Sequence, residues 1–111
     1  MNILFICSEN RLRSRTAETI WSKHPGLAVR SAGINPSAVY TVQEDDIQWA
    51  DAIFVMEQEH QTFLKGQYPD VLNGKLLHIL YIPDIYPYMD PILIQILEVS
   101  IPDCLEFLRQ S

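Results

Sequence analysis

Residues 2–7, Asn-Ile-Leu-Phe-Ile-Cys, carry no polar side chain between Asn2 and Cys7. A strand with one wet face alternates polar and apolar positions, so this unbroken run predicts a strand buried on both faces, as in a parallel sheet. Residues 14–23 place Ala17, Ile20 and Trp21 at helical spacing, and Pro25 and Gly26 stop that helix. Residues 27–31 predict a second strand, and Gly33, Pro36 and Ser37 a loop. A short helix over 43–49 then leads into a third strand over 51–56, built on Ala-Ile-Phe-Val. Residues 57–65 predict a helix ending at Gly66, residues 69–74 a connector, and residues 76–82 a fourth strand. Pro83 and Pro87 keep 83–88 in loop. Asp90-Pro91 has the form of an N-cap followed by proline at the first helical position. It opens a closing helix over 92–108 that Pro102 must kink or divide, because proline lacks the backbone donor.

Strands alternating with helices imply an α/β fold: an open, four-stranded parallel sheet with flanking helices. A chain of 111 residues supports one core, so residues 1–111 read as a single domain. No run approaches the roughly 20 apolar residues that cross a bilayer, and the opening strand lacks a basic lead-in and a small-residue cleavage site. The expectation is a cytoplasmic protein with no membrane partner.

Cys7 and Cys104 lie far apart, and His24, His60 and His78 share no ligand spacing with them or with each other. Neither a disulfide framework nor a metal site is expected, and no cofactor is implied. The histidines read as surface or helix-end residues, Trp21 and Trp49 as core, and Cys104 as a buried, inert thiol. The net charge of −6 argues against a nucleic-acid partner. Yet Arg11, Arg13 and Arg15 gather three of the eight Lys and Arg residues into five positions, which suits an anion.

Two of those arginines, Arg11 and Arg13, fall in the turn Cys7-Ser8-Glu9-Asn10-Arg11-Leu12-Arg13-Ser14, between the first strand and the first helix, and Arg15 follows it. Ligands of open α/β sheets bind at the carboxyl ends of the strands. A turn of this length can aim successive backbone N–H groups inward as a nest for phosphate oxygens, with the positive end of the next helix pointing at the same place. A cysteine at the base of such a nest is favoured as thiolate. A cysteine ending a buried strand is ordinarily only a small hydrophobe; it is the company of Asn10, Arg13 and Ser14 that points to chemistry.

Cys, five residues, Arg and Ser after a short N-terminal strand resemble the signature of the low-molecular-weight protein tyrosine phosphatases. The resemblance extends through Thr16-Ala17-Glu18, Ser31-Ala32-Gly33 and Ala50-Asp51 with Met56, covers most of the chain, and is nearest a short bacterial branch. It implies cofactor-free hydrolysis of phosphotyrosine-like monoesters, with a phosphorylated protein or a small aryl phosphate as substrate. Matching position by position, Cys7 would attack phosphorus and Arg13 would clamp two phosphate oxygens. Ser14 would donate to the sulfur, and Asn10 would take the left-handed backbone that closes the loop. Ser8, Glu9, Arg11 and Leu12 would complete the phosphate cradle.

Two positions depart from the pattern. Glu9 stands where the family often has Gly, and Leu12 where many members have a second, protective Cys. The chain is also short between Gly33 and Ala50, where relatives build part of their substrate cleft.

The family's general acid is an Asp after the last strand. Here Asp84 follows the fourth strand, with Tyr86 and Tyr88 placed to wall an aromatic cleft, while Asp90 precedes Pro91 but is also explained as a cap. Asp84 is the favoured acid. Three other functions compete. A phosphocysteine carrier resembling the IIB component of sugar phosphotransferase systems would hold the phosphoryl group for a partner. Arsenate reduction would need relay thiols, of which only Cys104 is present. A non-catalytic phosphate-binding module is suggested by Glu9 beside the nest.

Overall fold

In the computed structural model the backbone is described for residues 1–110 and the side chains for residues 1–103. The apolar run at the start becomes β1 (Asn2–Cys7), with Ile3 to Cys7 all buried. It pairs in parallel with β2 (Ala28–Gly33) on one side and β3 (Ala52–Val55) on the other, and β4 (Leu76–Ile79) joins beyond β3. The order is therefore β2-β1-β3-β4. The chain leaves β1 to one side and returns to its other side, so the strand order reverses at β1. A crevice outside the carboxyl ends of such strands is where this architecture binds ligands.

Successive residues of β1 point to opposite faces and divide the core in two. Ile3, Phe5 and Cys7 face α1 (Arg13–Trp21) and α5 (Pro91–Gln110), packing with Ala17, Leu93, Leu97 and Ile101. Leu4 and Ile6 face the opposite layer and pack with Ile47 of α2 (Glu44–Trp49) and Leu64 of α3 (Gln58–Gln67). Two buried faces explain the missing polar alternation. Trp21 and Trp49 are half-buried against these two clusters rather than inside them, and Trp49 carries the Arg30 guanidinium 4.2 Å above its ring.

Several boundaries differ from the sequence expectation. β2 runs two residues further, to Gly33, because Ala32 and Gly33 pair with Ile6 and Cys7. β4 ends three residues earlier, because Tyr81 adopts φ 56°, even though Leu80 and Ile82 still donate to Val55 and Met56 of the neighbouring strand. The connector after α3 contains a further turn of helix, α4 (Pro69–Leu72), with proline at its first position. The closing helix begins as expected, with Asp90 Oδ1 accepting from the backbone N–H of Ile92 at 2.8 Å. It then runs as one helix through Pro102 instead of dividing there. Losing one i→i−4 bond is a local cost that the buried Leu93, Leu97 and Ile101 outweigh. The side chain of Cys104, expected to be buried, lies outside the described residues. No helix among the described residues is long and apolar enough to cross a membrane.

Candidate active site

The turn from Cys7 to α1 closes on itself through three features. Asn10 takes φ 55°, the left-handed conformation that Asn tolerates better than most residues. Its backbone N–H donates to Cys7 Sγ at 3.2 Å. Gly33, across the ladder from Cys7, leaves room for the turn: a Cβ there would stand 2.6 Å from the Ser8 carbonyl oxygen and 3.0 Å from the Asn10 nitrogen. The Ser31-Ala32-Gly33 segment therefore matters because the turn needs a bare backbone beside it.

Inside the turn the hydrogen bonds have a direction. Asn10 Nδ2 donates to Ser14 Oγ and to Ser31 Oγ, both at 2.9 Å, and Ser31 Oγ donates to Glu18 Oε1 at 2.9 Å. Having accepted from Asn10, the Ser14 hydroxyl has its proton to offer to Cys7 Sγ, 3.0 Å away. The sulfur thus receives two donors, an arrangement suited to a thiolate.

A cavity of about 100 Å³ opens over the sulfur, lined by Cys7, Ser8, Glu9, Arg11, Leu12, Arg13 and Asp84. Arg13 is 2% exposed. Its Nη1 donates to the Ile82 carbonyl oxygen at 2.8 Å and also pairs with the Glu57 carboxylate, while its Nε lies 3.7 Å from Asp84 Oδ1. One guanidinium therefore links the turn to α3 and to the loop after β4. Asp84 is exposed on the rim, whereas Asp90 is occupied as the α5 cap. Tyr86 is half-buried against the core cluster of Phe5 and Phe54 and is not among the cavity's lining side chains. Tyr88 lies with its hydroxyl 2.8 Å from Thr19 Oγ1.

Glu9 does not spend its charge on the nest. Hydrogen bonds from Asn35 Nδ2 at 2.6 Å and Ser37 Oγ at 2.9 Å, with Arg11 nearby, hold its carboxyl below the usual carboxylate range. A wider opening of about 660 Å³ lies behind the turn, among Arg15, Arg30, Tyr40 and Asp45; it shares Asn10 with the turn but does not reach Cys7. Arg15 therefore faces that side.

Histidine placement departs from expectation. His24 is exposed and His78 half-buried, its ring stacked on Phe54. His60 stands near a helix end, as expected, but is fully buried. Its Nδ1 accepts from the Glu57 backbone N–H at 3.0 Å, and its Nε2 lies 3.0 Å from Ser8 Oγ. Glu57 and His60 are the site residues that sequence reading missed. The available signal was spacing, because Glu57 followed three positions later by a hydrogen-bonding side chain is a capping-box pattern.

Burial first, and the nearby Arg13 cation second, lower the His60 pKa from 6.5 to about 4. The unfolded chain therefore binds a proton through pH 6.5 that the folded chain refuses until about pH 4. The contribution is complete above 6.5 and declines as pH falls across that window. Denaturant midpoints should fall across it by the equivalent of about 3 kcal/mol from this group, and His60→Asn should show a shallower decline. Parallel slopes for the two proteins would remove His60 as the cause.

No protein-family model matches this chain, and no curated protein does. Solved structures do. The YwlE arginine phosphatase from Geobacillus stearothermophilus is 20% identical with a TM-score of 0.69, over 99% of this chain and 97% of its own. Vibrio vulnificus Wzb in complex with benzylphosphonate is 19% identical with a TM-score of 0.68, over 99% and 98%. The low-molecular-weight protein tyrosine phosphatase of T. tengcongensis is 20% identical with a TM-score of 0.69, over 100% and 99%. The chain has the low-molecular-weight tyrosine phosphatase fold over its whole length.

Proposed function

We propose that this protein is a phosphatase that hydrolyses phosphotyrosine-like monoesters through a phosphocysteine on Cys7. The observation that carries the reading is the convergence of Cys7 Sγ, its two donors, buried Arg13 and exposed Asp84 on one cavity. In the first step the Cys7 thiolate attacks phosphorus, the S–P bond forms, and the ester P–O bond breaks as Asp84 gives its proton to the departing oxygen. In the second, Asp84 takes a proton from water, whose oxygen attacks phosphorus. The S–P bond breaks, phosphate leaves and the thiolate returns. Arg13 and the backbone N–H groups of the turn hold the equatorial oxygens throughout.

Leu12 lines the cavity with its side chain exposed, so the mouth offers apolar surface to an aromatic ring. That supports an aryl phosphate, on a protein or a small molecule, over the phosphoarginine implied by a neighbour's name. Asp84 lining the same cavity as Cys7 supports hydrolysis over a phosphoryl carrier, and the engagement of Glu9 by Asn35 and Ser37 removes the main argument for a silent binding module. The proposed reaction calls on no cofactor, and the net charge of −6 argues against a nucleic-acid partner.

Turnover of p-nitrophenyl phosphate tests the reading, and its absence in a folded, phosphate-binding protein would overturn it. Asp84→Asn should slow hydrolysis by about 10²–10⁴, the usual worth of a positioned acid. The penalty should be smaller for p-nitrophenyl phosphate, whose phenol departs readily as an anion, than for a phosphotyrosine peptide. Asp90→Asn should leave the ratio unchanged, since Asn caps a helix as well as Asp. The reverse pattern would exchange the two aspartates.

A further inference from the structure

His60 is fully buried beside the phosphate turn, yet no step above uses it. Its hydrogen bonds determine where its proton sits. The Glu57 backbone N–H can only donate, so Nδ1, 3.0 Å from it, must present a lone pair. The opposite tautomer would set two N–H groups against each other. A neutral ring with a bare Nδ1 carries its proton on Nε2. The ring is kept neutral by burial and by Arg13. The Glu59 carboxylate, 3.8 Å from Nε2, favours the same placement.

Nε2–H therefore donates to Ser8 Oγ at 3.0 Å. The Ser8 oxygen is then an acceptor in that bond, and its own proton has no other partner among the described residues. Ser8 lines the cavity above Cys7 with Arg13. We propose that His60 is a positioning residue that turns the Ser8 hydroxyl into a fixed hydrogen-bond donor for a phosphate oxygen, adding a side-chain donor to the backbone nest. The inference rests on the phosphate-site reading given above. It assigns Ser8 a role in binding through its hydroxyl and not only through its backbone, and it makes the start of α3 part of the substrate site.

Inorganic phosphate binding and nitrogen NMR of the histidine ring test this without any need for turnover. In the wild-type protein the ring should show a protonated Nε2 and a bare Nδ1. Ser8→Ala should weaken inorganic phosphate by about tenfold, in the range of a lost hydrogen bond to a charged group, while Ser8→Thr should retain most of the affinity. His60→Asn keeps an acceptor for the Glu57 N–H but is too short to reach Ser8. It should weaken phosphate binding on its own and add nothing in the Ser8→Ala background. The opposite ring tautomer, unchanged phosphate affinity in Ser8→Ala, or additive losses in the double variant would overturn the inference. Should His60→Asn fail to fold, the ring tautomer and the two Ser8 variants still decide it. A protein that turns over aryl phosphates while Ser8→Ala binds phosphate as tightly overturns this inference alone. A wild-type protein that binds no phosphate overturns the functional reading and this inference together.

Discussion

Cys7→Ser is expected to abolish turnover of aryl phosphates while leaving the fold and the binding of inorganic phosphate largely intact. A hydroxyl is a far weaker nucleophile than a thiolate, and removal of a covalent nucleophile elsewhere costs on the order of 10⁴–10⁶ in rate. The replacement is nearly isosteric, and its oxygen can still accept from the Asn10 N–H and sit beside Ser14 Oγ, so the turn keeps its closure. Arg13 and the backbone donors are untouched. The signature is thus a split: kcat vanishes and phosphate affinity stays. Near-full activity in the serine variant would remove Cys7 from the chemistry, and loss of phosphate binding together with activity would mean that the sulfur holds the turn together.

Arg13→Lys should be nearly as damaging, by about 10²–10³ in kcat, the range seen when a preorganised donor to developing charge is removed. A lysine cannot present two parallel N–H groups to one phosphate. The structure adds a second cost. Arg13 simultaneously holds the Ile82 carbonyl, two residues before Asp84, and the Glu57 carboxylate next to His60. A single ammonium serves these partners poorly, so the acid's loop and the start of α3 both lose an anchor. Leaving-group dependence should therefore change in Arg13→Lys as well as overall rate. Equal activity of Lys and Arg at this position, in steady-state kinetics on a phosphotyrosine peptide, would take Arg13 out of the site.

The parts of this account that were legible in the sequence are those whose causes are local. β1 announced itself because burial on both faces leaves no polar position. The turn's shape was legible because Asn, one of the few residue types at ease in the left-handed region, stands in the middle of a short strand-to-helix connection, and Asn10 does adopt that backbone. The Asp90 cap was equally readable. What stayed hidden depends on contacts made at long range. Glu57 lies 44 positions from Arg13, and His60 lies 52 from Ser8, in a polar stretch whose pattern predicts a wet helix end. The ends of β2 and β4 were misplaced for related reasons. Gly33 looked like the start of a loop because nothing local shows that the turn after β1 will press against it. Tyr81 looked like continued strand because a positive φ is uncommon for tyrosine and nothing in the residue type signals it. Tyr86 was placed in a cleft wall by proximity to Asp84 in sequence, whereas the backbone turns it against the core.

The central claim is that the phosphoryl group passes through Cys7. Rapid acid quenching during turnover of p-nitrophenyl phosphate, followed by peptide mass spectrometry, reads the covalent intermediate directly. A phosphoryl group is expected on the sulfur of the peptide containing Cys7, absent from Cys7→Ser as a thiophosphate and more abundant when the second step is slowed. A phosphoryl group found instead on a histidine or aspartate of a protein that still turns over, with Cys7 unmodified, would contradict it.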